Sequence, residues 1–152
     1  MRVEPWNERY AGDVETWTYP PPYDFYDAAS DPEDAAAMRD PSKSHHFRAV
    51  IGDDGELEAF WWLDPKDDGV VEVGLGLRPD LTGQGRGEAI IRAELDYVRA
   101  EWRPATFRLF VTAWNERAIR LYERLGFREV GRETRSFPLH GENEFLRMER
   151  PA

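Results

Sequence analysis

Three glycines spaced by two residues, Gly83, Gly85 and Gly87, stand between an apolar run ending at Leu77 and a long amphipathic segment. Each glycine inside a helix costs roughly 0.8 to 1 kcal/mol against alanine, so Gly85 and Gly87 in a first helical turn call for a compensating role. Close approach of a ligand to bare backbone is one such role. The first amides of a helix have no internal partner and lie at the positive end of its dipole. The run Leu77-Arg78-Pro79-Asp80-Leu81-Thr82-Gly83-Gln84-Gly85-Arg86-Gly87-Glu88 is therefore a candidate cradle for a pyrophosphate, with Arg78 or Arg86 placed to add charge. The alternative is a tight strand-to-helix turn whose glycines serve geometry alone, and the pattern by itself does not decide between them.

The elements that must position this loop follow from periodicity. Val70 to Leu77 alternates as a strand, apolar at 71, 73, 75 and 77. A helix is predicted from about Gly85 to Trp102, with Ile91, Leu95, Val98 and Trp102 on one face, and Pro104 ends it. Phe107 to Thr112 reads as a strand. Glu116 to Leu125 reads as a helix, with Asn115 as its N-cap and Gly126 as its left-handed stop. Upstream, His46 to Ile51 and Leu57 to Leu63 form a hairpin pattern around the Gly52-Asp53-Asp54-Gly55 turn. Downstream, strands near Glu129 to Phe137 and Glu144 to Glu149 flank a turn at His140 to Asn143. Residues 1 to 45 read as irregular and rich in Pro, Asp and aromatics, with short helices around Gly12 to Trp17 and from Asp31-Pro32 through Met38. The expected architecture is a mixed α/β sheet with a right-handed crossover, which makes its flanking strands parallel. Ligands of α/β sheets usually bind where the carboxyl ends of such strands open.

Composition narrows the function classes. A chain of 152 residues suits one domain, and 41% hydrophobic with 13% aromatic residues suits a packed core despite a mean hydropathy of -0.71. Thirty acidic against twenty basic residues give a net charge of -10, which disfavours a sequence-independent grip on nucleic acid. The absence of cysteine excludes disulfides, thiolate metal sites and a cysteine nucleophile. Three scattered histidines do not have the spacing of a metal site, so no metal is expected. No apolar run reaches signal-peptide or membrane-span length, so neither a membrane partner nor export is expected and cytoplasm is the default compartment. Among the cations only Lys43 and Lys66 are lysine.

Thr82-Gly83-Gln84-Gly85-Arg86-Gly87 resembles the acetyl-CoA pyrophosphate loop of the GNAT superfamily of N-acetyltransferases. The run Asn115-Glu116-Arg117-Ala118-Ile119-Arg120-Leu121-Tyr122-Glu123-Arg124-Leu125-Gly126-Phe127 is similar to that superfamily's late helix, and one helix and one strand separate the two motifs in both. The resemblance covers about residues 46 to 150 and is specific through 70 to 127. Thr82 departs from the Arg or Gln that usually opens the loop, which touches one side-chain contact and not the backbone cradle. The fold so implied is an α/β (α+β) single domain over 1–152. Its sheet would be mixed and mostly antiparallel, with a splayed central parallel pair and flanking helices. Residues 1–45 would be a variable acceptor-side segment and 70–127 the acetyl-CoA-binding core.

The resemblance also implies roles. Backbone groups of Leu75 and Leu77 would pair with the pantetheine arm, Gly76 would present an amide to the thioester carbonyl, and Gly83 to Gly87 would hold the pyrophosphate. Asn115 would contact the cofactor arm, or act only as an N-cap worth about 1 kcal/mol. Tyr122 is the candidate general acid for the departing CoA thiolate. A phenol of pKa about 10 facing a thiol near 8.5 makes that transfer slightly uphill, so placement is decisive. Its alternative is a core aromatic aligned with Ala118 and Leu125. An amine of pKa near 10.4 must lose a proton before attack. Glu72 is the first candidate base, its alternative being a cross-strand ion pair with an arginine; Glu58, His45, His46 and His140 follow.

On the acceptor side, Trp17 to Asp27 offers Tyr23, Phe25 and Tyr26, which with Trp61 and Trp62 would form a pocket for an amine drawn by Asp24 and Asp27, or else pack the core. The expected function is transfer of acetyl from acetyl-CoA to a primary amine of a small molecule, peptide N-terminus or lysine, by direct attack in a ternary complex, in a monomer or homodimer. A non-catalytic acyl-CoA-binding module is the alternative, against which the presence of Tyr122 speaks. A dinucleotide-binding reading fails because the loop opens no early βαβ unit and no acidic ribose partner is placed.

Overall fold

The computed structural model describes residues 1–152. Its strands are β1 (Arg2–Pro5), β2 (Phe47–Ile51), β3 (Leu57–Pro65), β4 (Val70–Leu77), β5 (Thr106–Thr112), β6 (Arg128–Phe137) and β7 (Gly141–Pro151), and its α-helices are α1 (Glu8–Glu15), α2 (Pro32–Arg39), α3 (Arg86–Trp102) and α4 (Glu116–Arg124). The strands pair in the order β1-β2-β3-β4-β5-β7-β6, a mixed and mostly antiparallel sheet as expected. β4 and β5 are parallel, and their ladder runs from Val70 opposite Thr106 to Glu72 opposite Arg108, although β4 continues to Leu77 and β5 to Thr112.

The contacts group into two compact units, one made of Met1–Trp62 with Leu75–Ile90 and the other of Leu63–Gly74 with Ile91–Ala152. The first is built on aromatic packing. Trp6, Tyr10, Trp17 and Phe47 are buried, with Phe60 packed against them. Trp6 lies 5.4 Å from Phe47 and 6.0 Å from Phe60 between ring centroids, distances at which tilted rings attract. The Trp6 indole N–H donates to the Met38 carbonyl at 2.8 Å, which satisfies the one polar atom of a buried ring.

Local chemistry sets the helices here. Asn7 caps α1 by accepting the Arg9 amide at 2.9 Å, so the helix starts before the Gly12 to Trp17 expected from pattern and ends at Glu15. Asp31 caps α2 through the Asp34 amide at 3.1 Å, with Pro32 at the first helical position. β1 was not expected, because the region read as irregular and only Val3 of its four residues is apolar and able to pack. Its ladder with β2, Arg2 opposite Ile51 through Pro5 opposite Arg48, is a long-range gain that no local pattern signals.

In the second unit the inward residues alternate as a half-buried strand requires. Phe107, Leu109 and Val111 of β5 are buried with Leu146 and Met148 of β7, which stand opposite Val111 and Leu109, and Ile91, Leu95 and Val98 of α3 are buried too. β7 begins at Gly141 rather than near Glu144, because Gly141, Glu142 and Asn143 still pair with Phe137, Ser136 and Arg135. The turn expected at His140 to Asn143 is thereby moved back. Arg135 helps hold this hairpin end, its guanidinium lying 4.6 Å from the Phe110 ring centroid and 4.7 Å from that of Phe145.

One glycine of β4 is explained by packing. A Cβ on Gly76 would lie 2.0 Å from Cε1 of Phe60, so the phenyl ring occupies the place a side chain would take. Gly76→Ala is expected to destabilise the fold by about 1 to 3 kcal/mol through overpacking, seen as a lower denaturant midpoint with an unchanged slope.

Candidate active site

Within the first unit the end of β4 and the start of α3 are joined by a turn at Pro79–Leu81 and the glycine loop. The Thr82 hydroxyl donates to the Pro79 carbonyl at 2.7 Å, and the Gln84 amide donates to the Asp80 carbonyl at 2.7 Å, so both polar side chains of the loop brace its own backbone. Gly83 and Gly85 have φ of 74° and 77°, the left-handed region that favours glycine. A Cβ built on either meets nothing within 4 Å, so the space in front of the loop is open. Residues 83–86 are exposed, and Gly87 lies in the first turn of α3. A 17-residue helix thus presents its first amides beside two glycines that leave room for an anion.

The arginines of this loop are engaged by carboxylates. Arg78 forks onto Asp80, at 2.6 Å from Nε and 3.1 Å from Nη2, and also donates to the Leu57 carbonyl at 3.1 Å. Arg86 donates to both carboxylate oxygens of Glu58, whose side chain is nearly buried. Glu58 in turn lies against Gly52, where a Cβ would sit 2.4 Å from its Oε1. Glu58 is therefore an anchor for Arg86, and a phosphate would be met first by backbone amides.

Leu75, Gly76 and Leu77 lie in the same unit as the loop. The Arg78 amide donates to the Glu58 carbonyl at 2.8 Å, and the Tyr19 hydroxyl donates to the Leu77 carbonyl at 2.5 Å. Trp17, Phe25 and Trp61 are buried, whereas Tyr26 is exposed and Trp62 stacks on His46 with centroids 4.5 Å apart. Asp27 takes the Tyr19 amide at 2.9 Å.

The second unit carries Glu72, Asn115 and Tyr122. Asn115 is buried and caps α4, its side-chain oxygen accepting the Ala118 amide at 3.2 Å. Gly126, with φ of 93°, stops the helix, and the Phe127 amide returns to the Tyr122 carbonyl at 3.0 Å. Tyr122 is half-buried and packs edge-on to Phe127, with centroids 6.0 Å apart. Glu72 lies 3.9 Å from Lys66 Nζ and 3.9 Å from Arg108 Nη1. Lys66 also binds Asp64 at 2.6 Å, and Arg108 also binds Glu149 at 2.7 Å. The cross-strand ion pair with an arginine is thus present at Glu72. The His45 and His46 rings are tilted against each other with centroids 4.1 Å apart, and the His140 carbonyl takes the Asn143 side-chain amide at 3.1 Å.

Sequence reasoning missed Glu94. It lies on the apolar face of α3, three residues after Ile91 and four before Val98, and is 1% exposed. One carboxyl oxygen takes the Gly74 amide while Oε1 has no partner. Burial pushes the carboxyl well above the usual carboxylate range, and the Gly74 amide offsets this only in part. The signal was available, since 91, 94, 95 and 98 share one helical face, but a charged residue there reads as a break in the stripe.

Comparison with known proteins identifies the family. The model for the acetyltransferase (GNAT) family matches residues 6–127, and the chain belongs to that family. A mycothiol acetyltransferase of Streptomyces avermitilis is 42% identical over 76 residues, 49% of this chain and 24% of that protein. One from Nocardiopsis dassonvillei is 39% identical over 90 residues, 53% of this chain and 27% of that protein. The chain thus spans about a quarter of the length of these relatives. Among solved structures, a spermidine N-acetyltransferase chimera from Vibrio cholerae and hSSAT superposes with a TM-score of 0.76 at 19% identity, covering 99% of this chain and 96% of that one. The Vibrio cholerae spermidine N-acetyltransferase in complex with CoA and spermine gives 0.62 at 24% identity over 69% of this chain and 64% of that one. These two likenesses concern the fold.

Glu94 carries a pH dependence with a defined sign. Its folded value is raised, so the folded chain keeps a proton that the unfolded chain releases, and stability falls as pH rises from the usual carboxylate range toward the folded value. Glu94→Gln removes this titration and keeps an acceptor for the Gly74 amide. The stability of the variant relative to wild type is expected to rise between about pH 5 and about pH 8, by up to about 1.4 kcal/mol per unit, as read from urea denaturation at both pH values.

Proposed function

We propose that this chain is an N-acetyltransferase that moves acetyl from acetyl-CoA to a primary amine by direct attack in a ternary complex. The observation that carries the reading is the glycine loop. Gly83 and Gly85 hold left-handed backbone at the opening of α3, with open space where side chains would stand. A pyrophosphate fits such a site through backbone amides and the helix dipole, and family membership makes CoA the fitting donor of that group. The acceptor class is a small molecule, a peptide N-terminus or a lysine. The net charge of -10 and the acidic segment around Asp24 and Asp27 favour a cationic amine.

In this reading the amine nitrogen attacks the thioester carbon, and the Gly76 amide is assigned to the oxygen on which negative charge develops. One such donor is typically worth about 3 kcal/mol. Collapse of the tetrahedral adduct breaks the carbon–sulfur bond, Tyr122 gives its phenolic proton to the thiolate, and the amine proton leaves to a base. Glu72 remains the assigned base, acting directly or through water. Asn115 is assigned to the cofactor arm in addition to its cap. The engagement of Glu72 by Lys66 and Arg108 is the observation that favours the second reading, a non-catalytic acyl-CoA-binding module.

Calorimetric titration with acetyl-CoA, with NAD as control, tests the cradle. Micromolar binding of acetyl-CoA alone is expected, and a folded sample that binds neither overturns both readings. Tyr122→Phe separates them: turnover with an amine acceptor is expected to fall about 10²-fold or more while acetyl-CoA affinity stays within about twofold. Equal loss of both would make the phenol structural.

A further inference from the structure

The planarity of one peptide bond fixes the direction of a key acceptor. The amide of Arg78 donates to the Glu58 carbonyl of β3 at 2.8 Å. In a trans peptide the N–H of residue 78 and the C=O of residue 77 point in opposite directions, so the Leu77 carbonyl points away from β3. There the hydroxyl of Tyr19 meets it at 2.5 Å. Tyr19 is 58 residues away in sequence and belongs to the aromatic, proline-rich segment expected to serve the acceptor side.

This bond determines what Tyr19 can do next. A phenol has one proton to donate and keeps lone pairs that accept. With its proton given to Leu77, the Tyr19 oxygen faces any third group as an acceptor only. The proton is firmly held, since burial first and the charge of Asp27 second raise the phenol above its ordinary value. The ring is also held. The Tyr19 amide donates to Asp27 at 2.9 Å, and two residues earlier Trp17, buried, stacks on Phe60 at 6.2 Å. Phe60 in turn fills the place of a side chain on Gly76.

We propose that Tyr19 is a binding residue for the pantetheine arm, its phenolic oxygen and the second lone pair of the Leu77 carbonyl together forming an acceptor pair for an amide N–H. The proposal rests on the acetyl-CoA reading above. One turn, Pro79–Leu81, separates Leu77 from the glycine loop, so a ligand whose pyrophosphate lies at Gly83 to Gly87 passes Leu77 with its arm. That arm carries secondary amides, whose N–H is the donor such a pair selects. Tyr19 thereby belongs to the donor substrate rather than to the amine.

The test compares two probes on wild type and Tyr19→Phe, a change that removes the hydroxyl and keeps the ring. CoA carries the arm; its nucleotide half keeps the pyrophosphate and lacks the arm. Calorimetry is expected to show CoA weakened about five- to tenfold by the substitution, with the nucleotide half bound within about twofold of wild type and thermal unfolding little changed. Unchanged CoA affinity overturns the proposal, and so does equal weakening of both probes, which would make Tyr19 structural. Wild type binding neither probe would instead bring down the acetyl-CoA reading, and the proposal with it.

Discussion

The orientation of the peptide between Leu77 and Arg78 is the constraint on which the end of β4 and the opening of α3 depend. Because its N–H is spent on the Glu58 carbonyl, its C=O is directed to the other edge of β4. The ladder between β4 and β5 has ended by Glu72, well before that edge is reached. The same Glu58 that orients the backbone also fixes Arg86 at the opening of α3. A single residue of β3 thus sets both the hydrogen-bonding direction of the strand end and the first side chain of the helix. Its own packing against Gly52 leaves it little freedom to do otherwise.

The glycines that attract notice in the sequence answer to different forces. Gly83 and Gly85 are demanded by backbone conformation and stand before open space, whereas Gly76 is demanded by the ring of Phe60. A glycine in a strand signals close approach of something. At Gly76 that something is the protein's own core, the ring of Phe60.

What was legible in the sequence was whatever is decided locally. The helix Glu116–Arg124 is bounded by an Asn cap and a left-handed glycine, and both ends lie within a residue of expectation. The helix of Arg86–Trp102 declared itself through its apolar stripe, and the glycine loop through its cost. What was not legible depends on residues distant in the chain. β1 exists because β2 offers it an edge, and α1 begins at its Asn7 cap rather than where its apolar residues suggest. Arg86 read as a free phosphate contact, yet its partner Glu58 lies 28 residues upstream. Tyr19 fell within the Trp17 to Asp27 segment expected on the acceptor side, because nothing near it in sequence reveals the Leu77 carbonyl. Glu94 was passed over because a carboxylate does not announce that it will be buried.

The distribution of cations has a chemical consequence. Of the two lysines, Lys66 is held by Asp64, with Glu72 nearby, and every other basic side chain apart from histidine is an arginine. Guanidinium groups stay protonated at any physiological pH and are poor nucleophiles toward a thioester. A chain whose cations are almost all guanidinium groups thus has few side-chain amines open to acylation by any activated acyl donor.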